Sequence, residues 1–204
     1  MNIILDSLPE TVFIDNKEYP INSDFRTSIL YEIMMQDTSL SDEKKVLKAL
    51  ELYYPKIPYD INAAIDNLIW FYNCGKRTEV KKAIEEEKED EYDTNQKIVY
   101  SFEYDADYIY AAYLSQYNID LEKIENLHWW KFRAMFNGLD EKCEFVKIMG
   151  YRSVKINNKM SKREKEFYRK MKRIYALPVS DDVQERHDAI TKALMNGEDL
   201  TGLI

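Results

Sequence analysis

Glu103, Asp105 and Asp107 stand at a spacing where carboxylates can hold a divalent ion or divide acid and base roles. On a helix, positions two apart point to different sides. The simpler reading puts these acids at the start of a helix, where the macrodipole favours negative charge. The two histidines, His128 and His187, have no Cys, second His or flanked Ser beside them in sequence. Nucleophile activation or a metal set would therefore need partners brought in from distant parts of the chain. His187 falls at helical spacing with Val183, Ile190 and Leu194 and reads as a residue of a helix face. Cys74 and Cys143 lack the paired spacing of a zinc or redox site and read as reduced core thiols. The five glycines are nowhere grouped into a phosphate-cradling loop. These residues point away from catalysis: no enzyme activity, cofactor or metal is expected, and the expected chemistry is binding.

Two segments could bind. Residues 127 to 136 are the densest aromatic cluster, with Leu127, Trp130 and Ala134 on one helical face and Trp129, Phe132 and Phe136 on another. A second large apolar face must be covered by the chain's own helices, by a second copy or by a partner, and intramolecular burial is the favoured cover. Where a partner covers it, Trp129, Trp130, Phe132, Arg133 and Phe136 are the candidate contacts. Lys155 to Arg173 carries nine Lys or Arg against Glu164 and Glu166, a local +7 in a chain of net charge −8. Lys162, Lys165, Arg169 and Lys172 share one face of this amphipathic helix and are the candidate basic patch for phosphates, acidic grooves or membrane surfaces. The remainder of the chain is acidic, so no general attraction to nucleic acid or anionic membrane is expected, and any such contact is local. A solvated charged face is the commoner use of such a helix.

The elements that must position these residues are mainly helical. The 204 residues hold 45% hydrophobic and 32% charged side chains, with only five Gly and five Pro, a balance that favours long helices in a folded domain. Thr11–Ile14, a turn at 15–18 and Tyr19–Ile21 predict a short hairpin. Ser23 or Asp24 starts a first helix running to about Asp37, Ser41 caps a second that ends before Pro55, and Asp60 begins a third. That third helix has the cleanest apolar stripe, Ile61, Ala64, Ile65, Leu68, Ile69 and Tyr72, closed by Gly75. Residues 1–75 therefore form a hairpin plus three helices. Residues 76–97 read as a charged linker or helix extension, because Glu85 to Asp93 holds seven carboxylates. Residues 98–177 form an aromatic-rich block with helices at Tyr104–Tyr117, Leu127–Phe136, Glu141–Met149 (closed by Gly150) and Ser161–Tyr175. A C-terminal helix, Asp181–Leu194, and a tail occupy 178–204. No signal-peptide pattern and no run of 18 apolar residues occurs, so a cytoplasmic protein without a membrane span is expected.

Four phrases carry a resemblance. They are Lys17-Glu18-Tyr19-Pro20-Ile21-Asn22-Ser23-Asp24-Phe25-Arg26; Ala49-Leu50-Glu51-Leu52-Tyr53-Tyr54-Pro55; Tyr104-Asp105-Ala106-Asp107-Tyr108-Ile109-Tyr110-Ala111-Ala112; and His128-Trp129-Trp130-Lys131-Phe132-Arg133-Ala134 through Met149-Gly150-Tyr151-Arg152. In this order they resemble the bacteriophage gene-product-fifteen family, over about residues 2 to 177, while the segment after Pro178 is unmatched. The resemblance implies a place in tail morphogenesis, among phages and prophages of Gram-positive bacteria. The implied role is a non-enzymatic chaperone in the host cytoplasm that binds the tape-measure protein, with the major tail protein as a further partner and self-association open. Two other expectations stand beside it: a nucleic-acid-binding or regulatory module using 155–173, and a structural subunit retained in the tail.

Overall fold

Thr11–Ile14 (β1) and Lys17–Pro20 (β2) pair antiparallel, with Ile14 opposite Lys17 and Thr11 opposite Pro20. Asp15 and Asn16 both take positive φ, 50° and 58°, so two residues make the whole turn in place of the four, 15–18, that residue type predicts. Both residue types tolerate the left-handed region, and a turn of this hand matches strand twist. Val12 and Ile14 point inward, while Phe13 between them is 71% exposed. The computed structural model describes residues 2–76 and 98–178. The expected acidic segment Glu85 to Asp93, the helix at Asp181–Leu194 and His187 lie outside the described residues.

Seven helices follow the hairpin among the described residues: α1 (Phe25–Gln36), α2 (Asp42–Tyr53), α3 (Ile61–Tyr72), α4 (Ala106–Tyr117), α5 (Trp129–Asn137), α6 (Glu144–Ser153) and α7 (Lys162–Ile174). The molecule is mainly helical with a short N-terminal hairpin, as its composition and periodicity indicate. Asp24 and Asp60 accept from backbone amides in the first turns of α1 and α3, satisfying donors that have no partner within the helix. Ser41 stands at the start of α2 without a side-chain capping bond. At the end of α3, Cys74 (φ 56°) and Gly75 (φ 76°) are both left-handed, and Gly75 N–H donates to Trp70 O at 2.9 Å.

Three boundaries differ from the periodicity, each for a local reason. Ser101 Oγ accepts from the amides of Glu103 and Tyr104, which holds them in a turn and delays α4 to Ala106. Asp140 does the same before α6, accepting from Lys142 N–H with its side chain and from Cys143 N–H with its carbonyl. Gly150 lies within α6 instead of ending it, and Arg152, the next-to-last residue of the helix, is held there by four side-chain hydrogen bonds.

The two helical blocks share one core. Buried residues run continuously from Val12 and Ile14 through Phe25, Tyr53 and Phe71 to Phe102, Tyr113, Phe132 and Phe145. The starts of α1 and α5 are stitched together: Phe25 N–H donates to Leu127 O at 2.9 Å, and Trp129 N–H donates to Ser23 O at 2.7 Å. Arg26 reaches across the same seam, its Nη2 donating to the carbonyls of Leu121 and Ile124 at 2.9 Å each.

Candidate functional site

Helix α5 is where the sequence concentrates its large rings, and the structure places them at the centre of the molecule. Trp129 and Phe132 are fully buried, and Trp130 and Phe136 nearly so. Phe132 is sandwiched between Phe25 of α1 and Tyr113 of α4, with ring centroids 4.9 Å away on each side. Trp129 stacks on Tyr72 of α3 at 5.5 Å, and Phe136 meets Phe145 of α6 edge-on at 5.3 Å. Polar edges are satisfied as well: the indole N–H groups of Trp129 and Trp130 donate to Tyr72 O and Phe71 O, and Tyr113 OH donates to Phe132 O. Both faces of α5 are thus covered by α1, α3, α4 and α6. Trp129, Trp130, Phe132 and Phe136 are core residues and present no open contact face, which corrects their candidacy as partner anchors. The physical reason is that four neighbouring helices each supply a ring or an aliphatic side chain to the second face.

Arg133, the fifth candidate, is partly exposed at the rim of this core. Its guanidinium lies over the rings of Trp129 and Phe136, at 5.6 and 5.9 Å. Its Nη1 donates to Tyr100 OH at 3.1 Å and stands 4.0 Å from Glu32, which accepts from Tyr72 OH at 2.6 Å. Burial, then the nearby Glu32 charge, pushes the Tyr72 phenol well above its ordinary range, so it acts here as a donor only. This rim cluster is internally paired and fastens α1, α3 and α5 together.

His128 caps α5. Its Nδ1 accepts from Trp130 N–H at 3.0 Å, which makes Nε2 the protonated nitrogen and its partner at 3.0 Å the Pro9 carbonyl. Burial holds its pKa below the usual histidine value. The carboxylates do not converge: Asp105 is buried, whereas Glu103 and Asp107 face solvent. Asp105 takes both guanidinium arms of Arg152, at 2.6 and 2.9 Å, and accepts from Ser101 N–H. Arg152 also donates to Val99 O and Tyr175 O, locking the start of the second block to the end of α7. Among the described residues no cluster of His, Cys, Asp and Glu could hold a metal ion. Cys74 and Cys143 are free and half-buried.

Of the basic candidates, Lys162 and Arg169 are exposed while Lys165 and Lys172 are half-buried toward α6. Lys172 Nζ donates to Arg152 O at 2.6 Å, so that edge of the patch is structural. Ser161 and Glu164 form a reciprocal capping box at the start of α7.

The exposed large apolar side chains include Tyr59 (89%) and Phe13 (71%), and on α1, α2 and α3 those that are open are aliphatic. Leu30 (54%) and Met35 on α1, Val46 and Leu47 (53%) on α2, and Ile61 and Ile69 on α3 are exposed. Helices α1 and α2 pack on each other, α2 packs on α3, and Lys45 Nζ on α2 donates to Met35 O. Two signals in the sequence mark these residues. The apolar positions of α1 wrap around more than one face, and Ile61, Ile65 and Ile69 form a ridge beside the buried line of Ala64, Leu68 and Phe71. No helix among the described residues is long and apolar enough to cross a membrane. A family model described as Bacteriophage Gp15 protein matches residues 4–177. No curated protein and no solved structure matches the chain.

Proposed function

We propose that this chain, which belongs to the bacteriophage Gp15 protein family, is a non-enzymatic tail-assembly chaperone. In this reading it binds the phage tape-measure protein in the host cytoplasm until tail-tube subunits polymerise around it. The observation that carries the reading is the set of exposed aliphatic side chains on the packed helices α1, α2 and α3, with Leu30 and Leu47 each more than half open. A long apolar client helix is gripped through rows of aliphatic side chains at helical intervals, and a charged exterior keeps the complex in solution. The chain's 32% charged residues supply that exterior. The contact surface therefore moves from the aromatic helix α5, which organises the core, to α1–α3.

Co-expression with the tape-measure protein of the same phage tests the function. The expected result is a soluble complex that co-purifies. A tape-measure protein equally soluble and unbound with and without this chain contradicts the proposal.

A further inference from the structure

Among the described residues the hairpin is a two-stranded sheet, so β2 has a free edge. Which of its main-chain groups face outward follows from the turn. A two-residue turn makes Ile14 and Lys17 a hydrogen-bonded pair, and such pairs alternate along antiparallel strands. The bond from Ile21 N–H to Glu10 O, at 2.9 Å, keeps the same phase beyond the strands. Glu18, opposite Phe13, and Pro20, opposite Thr11, therefore turn their main-chain groups away from β1. Glu18 N–H, Glu18 C=O and Pro20 C=O have no main-chain partner among the described residues.

Beside that edge lies a cleft of about 560 Å³, within the range of ligand sites. Strand β2 contributes Tyr19 to its lining, and the connection between α2 and α3 contributes Ile57 and Tyr59. Lys17 and Lys56 also line it, are exposed, and have no ion-pair partner among the described residues. The one carboxylate of the lining, Glu18, is engaged elsewhere, accepting from Thr11 Oγ1 at 2.7 Å. A row of open main-chain donors and acceptors beside apolar rings fits an extended strand, and two unpaired cations select one that carries carboxylates. A second copy of β2 fits poorly. Glu18 opposite Glu18 brings like charges together, and Glu18 opposite Pro20 leaves the Glu18 carbonyl without a donor, because proline has no N–H. We infer that the free edge of β2 takes an acidic, extended peptide segment of a partner protein as an antiparallel third strand. Its carboxylates meet Lys17 and Lys56, and an apolar side chain between them enters the cleft of Tyr19, Ile57 and Tyr59. These residues are separate from the α1–α3 side chains of the proposed client contact, so either site can fail alone.

The test uses the full-length chain and the peptide acetyl-Thr-Glu-Thr-Val-Thr-Glu-Thr-amide, whose Glu and Val side chains share one strand face. The peptide should bind, and the analogue with Lys in place of Glu should not compete. In the complex the Glu18 amide should exchange with solvent at least roughly tenfold more slowly, because its open N–H gains a partner. Lys17→Glu with Lys56→Glu, both at exposed positions, should weaken binding by at least roughly tenfold at an unchanged urea midpoint. Glu18→Pro, which removes an N–H that β1 does not use, should weaken it likewise. No binding at millimolar peptide overturns the inference, as does binding that neither variant weakens or that leaves Glu18 exchange unchanged. Protection of Glu18 that rises with protein concentration in the absence of peptide would assign the edge to a second copy and also overturn it.

Discussion

Single residues show most directly that the aromatic cluster is structural. Phe132 touches rings from α1 and α4 and contributes its own carbonyl to Tyr113. Phe132→Ala should therefore cost about 3–5 kcal/mol of folding stability, read from the urea midpoint, because so enclosed a site cannot collapse around the void. Unchanged stability would mark Phe132 as a surface residue. Arg152 and Asp105 form a buried bidentate pair, with side chains 10% and 1% exposed. Removing one partner leaves the other charge buried without its counterpart, so Arg152→Met should cost about 3–5 kcal/mol, checked in the same unfolding assay. The aromatic residues were legible as a cluster from spacing alone. Their burial was not, because covering the second face depends on Phe25, Tyr72 and Tyr113, which lie far away in sequence. The Arg152–Asp105 pair was equally hidden, since 47 residues separate its members.

At the scale of elements, the caps carry consequences. His128 must be neutral to accept from Trp130 N–H, and its folded pKa lies below the ordinary 6.5. Between those two values the unfolded chain binds more protons than the folded one. Its contribution to stability is thus complete above about pH 6.5 and is lost as pH falls through the lowered folded value. Urea midpoints measured from pH 7.5 to 5 should fall more steeply for the native chain than for His128→Asn, which keeps a capping acceptor without the titration. Parallel curves would remove the cap from the account. Helix α6 offers the opposite sign. Gly150 sits inside it with open space where a Cβ would project, so Gly150→Ala should raise stability by about 0.5–1 kcal/mol in thermal or urea unfolding. Helix starts such as Asp24, Asp60 and Ser161 could be read from residue type because capping is local chemistry. Gly150 misled for the converse reason: a glycine ends a helix only where the next turn has nothing to hold it, and Arg152 is held by Asp105.

At the scale of the molecule, the net acidic charge and the scarcity of chain-breakers indicated a folded, mainly helical protein, and the family phrases run through most of the chain. The sequence suggested two blocks because a run of charged residues, 76–97, falls between them. The shared core forms because residues 23–25 and 127–129 pair across the gap, a contact that no local pattern announces. With the rings of α5 enclosed, the proposed client contact falls to the open aliphatic residues of α1–α3. The direct test is a binding measurement between the purified full-length chain and its phage's tape-measure protein, repeated with the double variant Leu30→Glu, Leu47→Glu. Both positions are more than half exposed, so the variant should retain the native urea midpoint while client affinity falls by at least roughly tenfold. A variant that folds normally and binds the client as tightly as the native chain would contradict the account.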